Sequence, residues 1–110
     1  MFWYLVDTYR PGVRSGTGAS YVQMGRFEEA LSEIDEAIRL EPSYTAAYRW
    51  RTAALAQLGR LEEAREALAE HDRLLPGQTI AMVRDGRRYA DTPGLRYYFE
   101  GLRMAGMPED

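Results

Sequence analysis

The 110-residue chain contains no cysteine, no lysine and no asparagine, and only one histidine, His71. Without cysteine there is no disulfide, no thiolate metal site and no thiol nucleophile. One histidine leaves no partner for a multi-histidine metal site. The missing lysine removes Schiff-base chemistry and the phosphate-binding lysine of a P-loop, and makes all 14 basic residues arginine. No apolar run approaches the roughly 20 residues needed to cross a bilayer. The longest, Phe2 to Val6, lacks the length and basic start of a signal peptide. A net charge of −3 and a pI near 5.2 give poor footing on nucleic acid. These absences predict a soluble, cytoplasmic chain with no cofactor, metal, membrane or nucleic-acid partner. What is present, 45% hydrophobic and 12% aromatic residues, predicts a folded domain rather than a disordered tail.

The chain repeats itself. GRFEEALSEI begins at Gly25 and GRLEEAREAL at Gly59, an offset of 34 residues. In that register Arg26, Phe27, Glu28, Glu29 and Ala30 align with Arg60, Leu61, Glu62, Glu63 and Ala64. Ile34, Leu40 and Pro42 align with Leu68, Leu74 and Pro76, while Leu31 faces Arg65 as a mismatch. Each shared residue has a physical task. Gly25 and Gly59 stop the preceding helix by entering the left-handed conformation. Phe27, Ala30, Leu31, Ile34, Ala37 and Ile38 form the stripe of an amphipathic helix, and Leu61, Ala64, Leu68 and Leu75 form a similar one. Paired glutamates suit the positive end of each helix dipole. Pro42 and Pro76 close each unit. Tyr44 to Leu58 is helical by pattern, with Ser43 as its cap and Ala47, Tyr48, Ala54, Leu55 and Leu58 on one side.

A helix-turn-helix period of 34 residues resembles the tetratricopeptide repeat. Tyr48 stands at the family's aromatic position early in the first helix. Tyr21 and Leu55 stand at the large residue later in it, and Gly18 at the small residue between, where the second copy has Thr52. The resemblance covers residues 11 to 76 and implies an all-α fold, a short helical-hairpin solenoid of about two units plus a C-terminal capping helix.

Three segments are expected: an irregular arm over 1–16, two repeats over 17–76 with a boundary near 42, and a degenerate third unit with a capping helix over 77–110. RPGVRSGTGAS is poor helix material, so the first helix is expected to be either short, starting near Gly18, or distorted. Phe2 to Val6 reads either as a strand-like arm or as the remnant of an earlier helix. Gln78 to Arg84 begins a third helix pair, with Ile80 and Val83 inward. Asp91-Thr92-Pro93 starts the last helix, which places Leu95, Tyr98, Phe99, Leu102 and Met104 on its apolar side. The ending YYFEGLRMAGMPE is similar to one that follows tetratricopeptide repeats in bacterial proteins carrying a class III adenylate or guanylate cyclase domain. Tyr98, Gly101, Leu102, Arg103, Ala105, Gly106, Pro108 and Glu109 carry that similarity.

Candidate chemistry is thin. RSGTGASY has the first spacing of a dinucleotide loop at Gly16 and Gly18, but Tyr21 holds the third glycine position, so a plain connection is expected. His71 and Asp72 are neighbours on a helix and do not face each other, which favours a packing histidine over a general base. Glu28, Glu29, Glu33, Glu36, Glu62, Glu63, Glu66 and Glu70 read as solvated faces rather than metal ligands. Arg84, Arg87, Arg88, Arg96 and Arg103 are balanced by Asp85, Asp91, Glu100, Glu109 and Asp110, so internal pairing outweighs a phosphate patch. The resemblance implies that the first helix of each repeat lines a concave groove. There the partner-contacting residues would be Val22, Gln23, Ala46, Arg49, Ala53, Ala56 and Gln57, with Ser15 and Ala19. Small residues would leave room for a ligand backbone, and Arg49 would meet an acidic partner or pair internally. The family's clamp for C-terminal carboxylates uses lysine and asparagine and is unsupported here.

The expected function is therefore a non-enzymatic protein-protein interaction module, binding a protein or peptide segment or self-associating as a homodimer through the N-terminal end, where Phe2, Trp3, Tyr4 and Leu5 cluster. The alternative is the detached regulatory tail of a cyclase-like signalling protein. An enzyme would be confined to carboxylate chemistry, and a nucleic-acid binder would have to overcome net acidity.

Overall fold

The structure, a computed structural model, describes residues 11–86 and 92–110. The expectations for Phe2 to Val6, for Arg87 and Arg88, and for Asp91 as a helix cap fall outside the described residues. Among the described residues there are six helices and no strand: α1 (Pro11–Gln23), α2 (Phe27–Leu40), α3 (Thr45–Gln57), α4 (Leu61–Leu74), α5 (Ile80–Gly86) and α6 (Leu95–Ala105). The all-α expectation holds. No helix among them is long and apolar enough to cross a membrane.

The sequence period is a structural period. α1 and α3 are both 13 residues long, and α2 and α4 are both 14. Each later helix starts 34 positions after its counterpart, since Pro11 maps to Thr45 and Phe27 to Leu61. Gly25 and Gly59 have φ of 77° and 80°. At each, the next amide reaches back over the end of the helix, Arg26 N–H to the Tyr21 carbonyl at 2.8 Å and Arg60 N–H to the Leu55 carbonyl at 2.9 Å. This closure satisfies carbonyls that would otherwise lack partners and sets the turn into α2 and α4.

α1 starts at Pro11 rather than near Gly18, so residues 11–16 are helical and not an irregular arm. Intrinsic propensity loses to packing here. Proline is tolerated in the first turn, and Gly18 is the point where α2 comes closest, since a Cβ there would lie 2.5 Å from Ile34 Cγ1. Ser43 does not cap α3; its hydroxyl goes to Glu41 Oε1 at 2.7 Å, and Tyr44 occupies the cap position without a side-chain bond. The amphipathic stripes of α2 and α4 bury Ala30, Leu31, Ile34 and Ala37, and Ala64, Ala67 and Leu68. Leu75 is not part of the second stripe: it lies past the end of α4 and is exposed. The outer glutamates pair with arginines three positions away, as in Arg26–Glu29, Arg39–Glu36, Arg60–Glu63 and Arg73–Glu70.

α3 is buried on nearly every side, so the one side expected from its pattern is only part of what it buries: Trp50, Thr52, Ala53 and Ala56 are buried as well. One side meets α2 and α4. The other meets α6, which crosses the inner face and also touches α1 and α4. Leu95, Tyr98, Phe99, Leu102 and Ala105 of α6 are buried, whereas Met104 points outward. α6 begins with Gly94 against α1, where a Cβ would lie 2.2 Å from the Gln23 carbonyl oxygen. α5 is short and rests on α6; its first amides, from Ile80 and Ala81, donate to the carbonyls of Pro108 and Glu109 at 2.8 and 3.0 Å.

The closest approach of α6 to α3 is at Gly101, where a Cβ would lie 2.6 Å from Ala53 Cα and 2.7 Å from its carbonyl oxygen. Backbone cannot give way as a flexible side chain does. Gly101→Ala is expected to lower stability by about 1–3 kcal/mol, although the same change favours a solvent-exposed helix. Gly16→Ala meets nothing within 4 Å and is expected to raise it by about 0.5–1 kcal/mol. Urea unfolding of the two variants tests the opposite signs.

Candidate functional site

The inner face of α1 and α3 divides into a covered part and an open part. α6 covers the C-terminal part of α3. Ala53 and Ala56 are buried there, and Gln57 donates from Nε2 to the Tyr97 carbonyl at 2.9 Å. Val22 of α1 is also fully buried. Three of the expected partner-contacting residues, Val22, Ala53 and Ala56, are thus buried against the chain's own helices, and half-buried Gln57 spends a donor on Tyr97. The small side chains that would admit a ligand backbone admit the chain's own last helix instead.

Gln23, Ala46 and Arg49 do line an open groove of about 770 Å³, together with Ser15 and Ala19. One wall is the small-residue side of α1; the opposite wall is formed by Leu75 and by Met82 and Val83 of α5. Tyr44, Trp50 and Tyr98 complete it, and none of these three is expected from sequence as a groove residue. Tyr98 is brought there by α6, whose return onto α3 has no local signal. The apolar stripe of α6, with Tyr98 on it, is the available hint.

Arg49 is the one charged residue among the described residues that line this groove. Its Nε donates to the Tyr98 hydroxyl at 3.1 Å, and its Nη1 lies 3.2 Å from His71 Nε2. No carboxylate among the described residues pairs with it. The remaining N–H groups of the guanidinium are left for the groove. Tyr98 is itself fixed by stacking on Trp50, with ring centroids 3.7 Å apart and planes 15° from parallel. The planar cation is thereby held in one orientation without being neutralised.

His71 is fully buried in α4, where it meets Arg49 of α3 within the second repeat. Arginine is a donor only, so His71 Nε2 accepts from Arg49 and the proton sits on Nδ1, which donates to Asp72 Oδ1 at 3.1 Å; the two neighbours do meet, contrary to the expectation from helix spacing. Burial pushes the imidazole below its ordinary value of 6.5, and the Arg49 charge adds to this, while Asp72 opposes both. The described arginines of the C-terminal group are engaged internally: Arg103 pairs with Glu109, Arg84 lies 4.9 Å from the Phe99 ring, and Arg96 lies 5.3 Å from the Tyr97 ring.

A histidine whose folded value is lowered binds fewer protons when folded than when unfolded. Its stabilising contribution is complete above pH 6.5 and is lost as pH falls from there through the folded value. Glu36, Glu63, Glu70 and Glu109, each lowered from 4.5 first of all by an arginine hydrogen bond, begin to lose their contribution only as pH falls below 4.5. Unfolding free energy is expected to start declining as pH falls below 6.5, the ordinary value of His71. His71→Gln should remove that onset and leave the loss below 4.5, as read from denaturation across pH.

The family model described as tetratricopeptide repeat matches residues 17–79, spanning the last part of α1 through α4 and ending just before α5. Neither the curated proteins nor the solved structures provide a match to the chain.

Proposed function

Because the chain belongs to the tetratricopeptide repeat family, whose repeats generally mediate protein-protein interaction without catalysis, we propose that it holds a partner's peptide segment in the open groove between α1 and α5. The observation that carries this reading is Arg49, a cation oriented by Tyr98 and His71 and paired with no carboxylate among the described residues, set in a cleft whose other lining residues are uncharged, some apolar and some polar, such as Gln23 and Gln78. Such a cleft favours a segment bearing an acidic group among uncharged residues, which would complete the hydrogen bonding of the guanidinium. Gln23, Ala46 and Arg49 are the partner-contacting residues retained in the proposal. Ala53, Ala56, Gln57 and Val22 support it from behind by holding α6 and α1 in place. A cytoplasmic setting and self-association at the N-terminal end belong to the same proposal.

The alternative is a regulatory unit acting beside a class III cyclase-like domain, to which the ending from Tyr98 to Glu109 gives some support. That ending also has ample work within this fold. Gly101 admits α3, Met107 is buried, and the Pro108 and Glu109 carbonyls receive α5.

The test is capture of partners with the wild-type chain, with Arg49→Glu, and with the same reversal at exposed Arg60, which does not line the groove. Circular dichroism checks that each variant is folded. A partner that uses the groove should bind Arg49→Glu at least roughly tenfold more weakly, the loss expected for a charge-assisted hydrogen bond, and should bind Arg60→Glu as it binds wild type. Equal loss in both variants, or in neither, removes the groove. Binding only to a cyclase-like domain favours the alternative.

A further inference from the structure

The arrangement behind Arg49 has a consequence for any anion in front of it. Arg49 faces the groove on one side and the buried His71 on the other, with Nη1 and Nε2 3.2 Å apart. His71 is the only histidine of the chain and has no exposed surface. The charged groups acting on it are Arg49 from α3 and Asp72 from its own helix, and α6 contributes Tyr98, whose hydroxyl meets the same guanidinium. His71 is held neutral first by burial and then by Arg49, since its lone pair accepts from a cation that no carboxylate among the described residues pairs with. A proton on Nε2 would set two cations against each other in a buried place.

We infer that the groove takes up a carboxylate together with a proton on His71. The inference rests on the groove reading above and specifies its regulation. A carboxylate accepting from Arg49 neutralises the charge that opposes protonation and draws guanidinium N–H groups toward the groove. Nε2 then loses its donor and takes a proton from solvent, so the imidazole gains one positive charge as the bound anion brings one negative charge. Asp72, on Nδ1, stabilises the resulting imidazolium. Coupling between two binding events is reciprocal: the anion raises the His71 titration midpoint, and acid tightens anion binding. Partner binding at this site therefore strengthens as pH falls toward and through the His71 midpoint, as long as the fold persists.

Acetate is a sufficient probe, and His71 gives one unambiguous imidazole signal by NMR. The full chain is titrated from about pH 7.5 to about pH 5 in sodium acetate, in sodium chloride of equal ionic strength, and in chloride with added acetamide. Circular dichroism defines the range in which the chain is folded. The expected result is a His71 midpoint higher in acetate by about half a pH unit or more, as for an added opposite charge nearby, and unchanged by acetamide. Arg49→Gln should abolish the rise. If acetate moves the Arg49 guanidinium signal but not the His71 midpoint, the coupling is wrong and the groove reading stands. If it moves neither, both are wrong. A rise that persists in folded Arg49→Gln also overturns the inference, and the wild-type comparisons decide the matter on their own should that variant not fold.

Discussion

How closely α6 can approach α3 decides the form of the inner face. Two backbones can come this near only because Gly101 has no side chain and Ala53 has a single methyl group. The approach carries Tyr98 onto Trp50 and into contact with Arg49, and it places the Tyr97 carbonyl over Gln57. It also brings the C-terminal residues to the first turn of α5, which stands as the far wall of the groove. A bulkier residue at either point would displace α6, and with it three of the features that define the cleft.

Arg49 illustrates how a cation can be held firmly without being cancelled. A carboxylate partner would have fixed its position and removed its field together. A hydroxyl and a neutral imidazole fix its position alone. The outer surface does the reverse: its arginines and glutamates are paired three residues apart and exposed, an arrangement that adds little to stability. Charge on the outside is balanced locally, while the described inner groove keeps one unbalanced centre.

The fold was legible where its causes are local. The two glycine stops, the alanines of the close helix contacts and the prolines after α2 and α4 fix the hairpins in register. The start of α1 was not legible, because three glycines and a proline predict a poor helix and only the packing of Ile34 on Gly18 overrides that propensity. The resemblance to the repeat family puts the first helix of each unit on the inner face, and Gln23, Ala46 and Arg49 of those helices line the open groove. Nothing local could show that Ala53, Ala56 and Gln57 lie under α6, because the covering helix is 40 residues away in sequence, as the Gln57–Tyr97 bond records. Small residues on a helix face announce a close neighbour without saying whether it belongs to the same chain.

The return of α6 onto the centre of the chain also changes how the molecule comes apart. An ordinary solenoid holds together through adjacent units, so its ends can fray while the middle persists. Here the last helix touches α1, α3 and α4, and its first turn abuts the end of the first helix. Losing α6 exposes Trp50, Ala53 and Ala56 of the central helix at once, and losing α1 removes part of the surface on which α6 lies. The first and last described helices are thus joined through the middle, and this short array is expected to unfold as one cooperative unit rather than repeat by repeat.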